Sequence, residues 1–245
     1  MSLAGKIIKI FWNLILPHRC AVCRKIIDDQ NSRICLTCFK TINYATNRCL
    51  NCGMPVTAAR NSCAVCKGRK RSYDSLCVVF YYNAALRKLI HRLKYSNKKY
   101  LISEYRTLLF RPEINIKRII HGSWDYIIPV PLHKKRLRKR GFNQAELIAH
   151  LLHEKISTPI NNSVLIRSKN TKPLFGLSEE ERKNELKDAF SINNPILLKN
   201  KRILLVDDIA TTGATLHACA KLLKRKAGAG CVDAFVFSAA RSITS

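Results

Sequence analysis

Apolar and polar positions divide most of this chain into strands and helices that follow one another. Apolar runs predict strands at residues 76–81, 125–131, 164–167, 203–207 and 232–237, the second of which ends in a Pro-x-Pro turn. Apolar residues three and four positions apart predict helices at 83–95 and 144–155. Strands that alternate with helices indicate an α/β fold, in which helices cover both faces of a parallel sheet.

Residues 1–16 carry a separate amphipathic pattern. Their apolar side chains recur at helical spacing, and Lys6 and Lys9 lie on the other side. The run is too short to span a bilayer and lacks the small-residue cleavage site of a signal peptide. We expect an N-terminal helix that docks onto the body of the protein, with association with a membrane surface as the alternative.

Eight cysteines in the first third of the chain form four Cys-x-x-Cys pairs, separated by eleven, ten and ten residues. They are Cys20, Cys23, Cys35, Cys38, Cys49, Cys52, Cys63 and Cys66. Each pair places two thiolates on one turn, and two pairs complete a tetrahedral Zn²⁺ site. Consecutive pairing is favoured over a cross-braced one because each site then closes a short loop. The spacing thus predicts two structural zinc ions.

Disulfides are the alternative, but they require an oxidising compartment, and we identify no secretion signal. The other three cysteines, Cys77, Cys219 and Cys231, lie in predicted strands or helices and are expected to be buried. These patterns suggest a helix at 1–16, a double zinc ribbon at 17–70 and an α/β domain at 71–245.

Composition adds a strong positive charge. The 44 Lys and Arg residues outnumber 16 Asp and Glu, which gives a net charge of +28. Such an excess indicates a polyanionic partner, either nucleic acid or an anionic membrane, unless the whole proteome is basic. Basic clusters lie at 67–71, 87–99, 134–140 and 221–226, with aromatic residues beside them. Aromatic stacking with phosphate neutralisation is typical of single-strand binding. The candidate DNA-binding residues are Arg92, Lys94, Tyr95, Lys98, Lys99, Lys134, Lys135, Arg136, Arg138, Lys139, Arg140 and Phe142.

The segment 203–215 carries the clearest chemistry. Asp207 and Asp208 follow a buried strand, at the edge where parallel sheets bind ligands, and two carboxylates there can hold two hydroxyls. The following Thr/Gly run opens a helix, whose first N–H groups favour a phosphate, and Gly213 lets the backbone approach closely. A simple helix cap is the alternative interpretation of these residues.

This segment resembles the binding motif of the type I phosphoribosyltransferases, which hold 5-phosphoribosyl-1-pyrophosphate (PRPP) with Mg²⁺. The resemblance implies that Asp207 and Asp208 bind the ribose hydroxyls and that the following loop binds the 5′-phosphate. The PRPP-binding candidates are Asp207, Asp208, Ala210, Thr211, Thr212, Gly213, Ala214 and Thr215. The implied pyrophosphate loop is Val130, Pro131 and Leu132.

The resemblance narrows to the ComF family of competence proteins. Its members carry a proline-bounded basic loop that ends in Arg-Gly-Phe-Asn-Gln, here residues 140–144, and an N-terminal Cys-x-x-Cys module. The implied architecture is a type I phosphoribosyltransferase-like parallel sheet preceded by a small Cys-rich double zinc ribbon. Two family residues within 171–190, a Gln and an Asn, are replaced by Leu174 and Glu185, so this segment gives no acceptor-binding residue.

The ComF resemblance implies a cytoplasmic factor that binds single-stranded DNA during DNA uptake for natural transformation. Contact with uptake machinery at the inner membrane is left open. The alternative is an active phosphoribosyltransferase that transfers the ribosyl phosphate to a nitrogen acceptor. Its catalytic candidates are Asp207, Asp208, Arg138 and Arg140, the cations stabilising the pyrophosphate leaving group. A third interpretation is a zinc-ribbon adaptor with an inactive α/β domain.

Overall fold

The computed structural model describes residues 19–27, 34–45, 47–56, 63–66, 71–95, 102–112, 114–171 and 177–240. The predicted N-terminal helix at 1–16 and the DNA-binding candidates Lys98 and Lys99 lie outside the described residues. In the described part of the chain, no helix combines the length and apolar character that crossing a bilayer requires.

The described chain alternates strands and helices as expected. The strands are β1 (Asn43–Tyr44), β2 (Ser75–Tyr81), β3 (Tyr126–Pro129), β4 (Leu165–Arg167), β5 (Phe190–Ile192), β6 (Arg202–Ala210) and β7 (Cys231–Ala239). The helices are α1 (Leu36–Lys40), α2 (Ala84–Tyr95), α3 (Ile102–Leu109), α4 (Lys117–Ile120), α5 (Lys134–Arg140), α6 (Gln144–Ile156), α7 (Glu179–Leu186) and α8 (Ala214–Arg225). Short 3₁₀ turns lie at Ala64–Cys66 and Pro195–Leu198.

Within the described residues, five strands form the main sheet in the order β1-β2-β7-β6-β3. Strands β2, β7, β6 and β3 are parallel to their neighbours, and β1 pairs antiparallel with β2 at the edge. Strand β6 lies inside the sheet, and its residues 203–206 are fully buried. This confirms the prediction of a buried inner strand leading to the two aspartates.

Alternate strand residues pack into two separate hydrophobic clusters. On one face, Leu204, Val206, Phe235 and Phe237 pack with helices α2, α3 and α6. On the other face, Leu205, Val236 and their neighbours pack with helix α8 and with strands β4 and β5. Helices therefore cover both faces, as the alternating pattern predicted.

Two local predictions differ from the structure. The strand predicted at 164–167 is outside the main sheet, since β4 pairs antiparallel with β5 in a separate two-stranded sheet. The proline-bounded basic loop contains a helix, α5. The imidazole of His133 caps its first turn, and Gly141 ends it at φ 76°, a left-handed conformation that glycine adopts at little cost.

Candidate functional site

Two clusters of four cysteines lie near the N-terminus. Every pair of sulfur atoms within a cluster lies within 4.8 Å. The first cluster is Cys20, Cys23, Cys35 and Cys38, and the second is Cys49, Cys52, Cys63 and Cys66. The consecutive pairing predicted from the spacing is therefore confirmed.

The sulfur separations fit zinc. Cys23 and Cys35 place their sulfurs 3.7 Å apart, and the Cys52–Cys63 separation is 3.6 Å. Four ligands about 2.3 Å from a tetrahedral zinc lie about 3.8 Å from one another, whereas a disulfide is about 2.05 Å long. No cysteine of the described chain forms a disulfide. Both clusters thus have the geometry of a structural Cys₄ zinc site.

Backbone donors support the first cluster. Burial opposes ionisation of Cys20, but N–H groups of Cys23, Cys35 and Val22 point at its sulfur and lower its pKa to about 6. In the second cluster, burial raises the pKa of Cys52, and the neighbouring thiols raise it further. Negative charges crowded in this way need a cation, and Zn²⁺ bound to all four sulfurs supplies it.

The remaining three cysteines lie away from both clusters. Cys77 and Cys219 are buried, as expected, and burial raises the pKa of each thiol. Cys231 is only partly buried, so the third expectation holds in part.

The register of the main sheet places the aspartates beside residues 130–132, the predicted pyrophosphate loop. Strand β3 ends where Pro129 pairs with Val206, and the Val130 N–H donates to the Val206 carbonyl at 2.8 Å. Strand β6 continues for four more residues along β7 only, to Ala210. Val130, Pro131 and Leu132 therefore leave the sheet at the level of Asp207.

The aspartates are half-buried, and each is fixed by the following residue. One oxygen of Asp207 accepts the Asp208 N–H at 2.8 Å, and one oxygen of Asp208 accepts the Ile209 N–H at 2.8 Å. Both carboxylates are thereby held in the part of β6 that extends beyond β3, towards the carboxyl ends of the strands, where ligands of parallel sheets bind.

The Thr/Gly loop joins this strand to helix α8. Gly213 occupies the N-cap position at φ 76° and offers no side chain to cap the helix. The Ala214 N–H reaches Thr212 Oγ1 at 3.4 Å, a long hydrogen bond. The structure thus places 211–215 at the start of a twelve-residue helix, whose N-terminus favours an anion.

The Arg-Gly-Phe-Asn-Gln motif forms the corner between α5 and α6. Asn143 is buried, and its side chain both caps α6 and donates to the Val130 carbonyl at 3.0 Å. Arg140 donates to the Gln144 side chain at 3.3 Å. The motif therefore holds the start of segment 130–132 in place, a role of Asn143 that sequence reasoning missed.

A buried arginine that the sequence did not single out lies near Asp207. Arg167, at the end of β4, is 9% exposed and donates to Thr171 Oγ1 at 2.5 Å. Burial lowers its pKa, Arg136 lowers it further, and Asp207 acts in the opposite direction. Arg136 donates to the Thr171 carbonyl at 2.5 Å. Arg167 on β4 thus interacts electrostatically with both Asp207 and Arg136 on α5. The sequence did not indicate this, because β4 was predicted to lie in the main sheet.

The other DNA-binding candidates differ in their exposure. On α5, Lys134, Lys135, Arg138 and Lys139 are exposed, whereas Arg136 and Arg140 are half-buried. Phe142 is half-buried and packs against the main core cluster. Arg92, Lys94 and Tyr95 belong to the last turns of α2, and their side chains lie outside what the structure describes.

Two domain families match this chain. The double zinc ribbon domain matches residues 11–67, and the phosphoribosyl transferase domain matches residues 139–244. Together with the sheet order and the cysteine clusters, they define a type I phosphoribosyltransferase-like α/β domain preceded by a double zinc ribbon.

Curated relatives cover most of the chain. Competence protein F of Haemophilus influenzae is 32% identical over 212 residues, which is 84% of this chain and 91% of the relative. The DNA utilization protein YhgH of Escherichia coli K12 is 30% identical over 88% of this chain and 95% of its own length. Competence protein ComFC of Bacillus subtilis is 29% identical over 70% of this chain and 71% of its own. The chain belongs to the ComF family of competence proteins.

Solved structures overlap less closely. A purine phosphoribosyltransferase from Pyrococcus horikoshii Ot3 covers 59% of this chain and 86% of its own at 18% identity, with a TM-score of 0.34. The fold class accordingly rests on the sheet order and the domain families.

Proposed function

We propose that this protein binds single-stranded DNA and a phosphoribosyl ligand, PRPP with Mg²⁺, as a cytoplasmic competence factor during DNA uptake. In this proposal, Asp207 and Asp208 hold the ribose hydroxyls. The loop at 210–215 binds the 5′-phosphate, and Val130, Pro131 and Leu132 adjoin the pyrophosphate. Contact with uptake machinery at the inner membrane belongs to the same proposal.

The observation that carries DNA binding is the charge of helix α5. Its seven residues, KKRLRKR, contain six cations. Five like-charge pairs lie three or four residues apart: 134–138, 135–139, 136–140, 135–138 and 136–139. Such pairs destabilise a helix by about 0.2–0.5 kcal/mol each, or about 1–2.5 kcal/mol together. Bound phosphates relieve this repulsion, so a polyanion stabilises the helix that binds it.

Helix α5 relates the proposed DNA-binding surface to the proposed phosphoribosyl site. The helix follows the pyrophosphate loop, and Arg136 and Arg140 both act on the Arg167 that Asp207 also influences. A DNA strand on the exposed side of α5 therefore lies beside the phosphoribosyl site. Binding of one ligand is expected to change the affinity for the other.

An active phosphoribosyltransferase is the second candidate function. The observation that favours it is the positive charge around Arg167, which interacts with Asp207 and with Arg136 and Arg140, since cations at the site would stabilise a pyrophosphate leaving group. Arg140 lies close enough to contact Gln144, whereas Arg138 is exposed on the outer side of α5. In this candidate mechanism, Arg138 and Arg140 act on the leaving group, Arg136 is a further candidate, and the aspartates orient the ribose.

One titration tests the main proposal. Fluorescence anisotropy of labelled single-stranded and duplex DNA is measured between about 50 and 200 mM salt, with and without PRPP and Mg²⁺. We expect tighter binding of single strands, little sequence preference and a steep loss of affinity with salt. Salt-independent binding would contradict an electrostatic DNA site.

Thermal unfolding tests the pocket separately. PRPP with Mg²⁺ should raise the melting temperature of the wild type, since a ligand at about 100 times its Kd adds about 2.7 kcal/mol to stability. The shift should be lost in Asp207→Asn and Asp208→Asn. Release of labelled pyrophosphate in the presence of nucleobases, ammonia or water then distinguishes an enzyme from a binding protein.

A further inference from the structure

The peptide bond between Thr212 and Gly213 is held from outside the Thr/Gly loop. Arg71 donates a hydrogen bond from Nη1 to the Thr212 carbonyl at 2.9 Å. The neighbouring Ser72 N–H donates to Nδ1 of His217, on helix α8, at 3.1 Å. The segment that leaves the second zinc cluster thus contacts both the loop and the helix that follows it.

This contact determines the direction of one backbone donor. In a planar trans peptide unit, the carbonyl and the N–H point in opposite directions. Because Arg71 holds the Thr212 carbonyl, the Gly213 N–H of the same unit points away from Arg71. Gly213 is buried, and its N–H donates to no other residue in the described ranges. The first N–H groups of a helix have no partner within it, so the Gly213 N–H is available to an anion at the start of α8.

The space beside Gly213, on the side of Arg71 and Tyr73, is also filled. A Cβ at Gly213 would lie 3.2 Å from Arg71 Nη1 and 3.4 Å from the Tyr73 hydroxyl. Tyr73 is 3% exposed, and burial raises its pKa to about 12, so the hydroxyl stays neutral. If the peptide turned over, its N–H would face a guanidinium, which has only donors. The observed orientation of the peptide is therefore the favoured one.

We propose that Arg71 is a positioning residue for the phosphate cradle. By holding the Thr212 carbonyl, it presents the Gly213 N–H to the 5′-phosphate of the phosphoribosyl ligand. This inference rests on the proposed function of the loop. It adds that a residue only five positions after the zinc ligand Cys66 determines the affinity of the loop for phosphate.

Isothermal titration of two probes tests the role of Arg71. Ribose 5-phosphate reports on the loop at 211–215, and inorganic pyrophosphate reports on the loop at 130–132. Arg71→Ala should bind ribose 5-phosphate about tenfold more weakly, the size of one charge-assisted hydrogen bond, and should bind pyrophosphate unchanged. Arg71→Lys, which keeps a donor, should recover part of the affinity.

A matched variant and a local probe complete the design. Arg111 is another half-buried arginine, which packs over the Phe39 ring in the zinc ribbon, and Arg111→Ala should leave both affinities unchanged. The amide resonance of Gly213 should shift with ribose 5-phosphate in the wild type and much less in Arg71→Ala. A residue that only supports the fold would not give this selective change.

The outcomes separate the two proposals. If the wild type binds neither PRPP nor ribose 5-phosphate, both the proposed function and the role of Arg71 are wrong. If the aspartate variants lose PRPP but Arg71→Ala binds ribose 5-phosphate like the wild type, only the role of Arg71 is wrong. Equal losses for ribose 5-phosphate and pyrophosphate in Arg71→Ala would also overturn it, since they would indicate general damage.

Discussion

Removing exposed charge from helix α5 should weaken DNA binding and leave the fold intact. The variant replaces Lys134, Lys135 and Lys139, all exposed, with glutamine. Glutamine has nearly the helix propensity of lysine, so the substitution changes charge and little else. Four of the five like-charge pairs in α5 include one of these lysines. Loss of these repulsive pairs should therefore leave the free energy of unfolding unchanged or raise it by up to about 2 kcal/mol.

The effect on binding follows from counterion release. Each phosphate neutralised on a single strand contributes about −0.7 to the slope of log K against log salt. Loss of three contacts should make the slope shallower by about 2. Each contact raises the binding constant about fivefold at about 0.1 M salt relative to about 1 M salt. Loss of all three contacts should therefore lower the affinity on the order of a hundredfold at about 0.1 M salt.

The assay is the salt titration of a labelled oligo-dT by anisotropy, with urea unfolding of the same samples. A matched control replaces Lys117, Lys155 and Lys199, which are exposed and lie outside the four basic clusters. It removes the same charge, so any effect of net charge appears in both variants. Equal slopes and affinities in the two variants would refute the assignment of DNA binding to α5.

Three further predictions concern the ribbon and its attachment. Gly53→Ala should lower the free energy of unfolding by about 2–4 kcal/mol in urea, because φ is 74° and the new Cβ would lie 2.2 Å from Val78 Cγ2. The control is Gly228→Ala, where φ is 67° and the new Cβ would have its nearest neighbour at 3.7 Å. It should lower the free energy of unfolding by less. Cys52→Ser should reduce bound zinc from two ions to one by elemental analysis, whereas the buried Cys219→Ser should keep both. Asp74→Asn should destabilise the protein at neutral pH. Burial of Asp74 raises its pKa, but hydrogen bonds from Lys224 and from the Val232 N–H outweigh this and lower the pKa below its ordinary value. That stability is present above the ordinary Asp pKa of about 3.9 and is lost as pH falls through the lower folded value, so the two proteins should converge in acid unfolding.

The features predicted from sequence are those that local spacing encodes. The cysteine pairing follows from loops short enough to close on themselves. The buried residues 203–206, the aspartates that follow them in the same strand and the helix from Ala214 are close neighbours in the sequence, so the chain direction alone brings them together. Resemblance added the proposed ligand, PRPP, which the residues alone do not specify.

The features that were missed depend on tertiary contacts. Arg167 and Arg71 are distant from Asp207 and Thr212 in the sequence, and basic residues in polar segments are normally exposed. Helix α5 was predicted as a loop because six cations and two nearby prolines obscured the pattern. Gly141, placed just after the last basic residue, is the signal that could have indicated the end of a helix.

The zinc ribbon and the α/β domain are joined by more than a linker. Strand β1 of the ribbon covers the edge strand β2, which would otherwise present unpaired backbone groups. Arg48, next to the ligand Cys49, donates to the carbonyls of Ala45 and Asn115, both at 2.7 Å. The Leu76 N–H donates to the Leu50 carbonyl, inside the second zinc knuckle, at 2.6 Å.

These contacts link the second zinc cluster through the backbone to the Thr/Gly loop at 211–215. Strand β2 is held by the knuckle on one side and pairs with β7 on the other, and the segment that leads into it carries Arg71. Loss of zinc from the second cluster should therefore displace Arg71 and weaken its hydrogen bond to the Thr212 carbonyl. A ribbon that only tethered the protein to DNA would not need contacts of this kind.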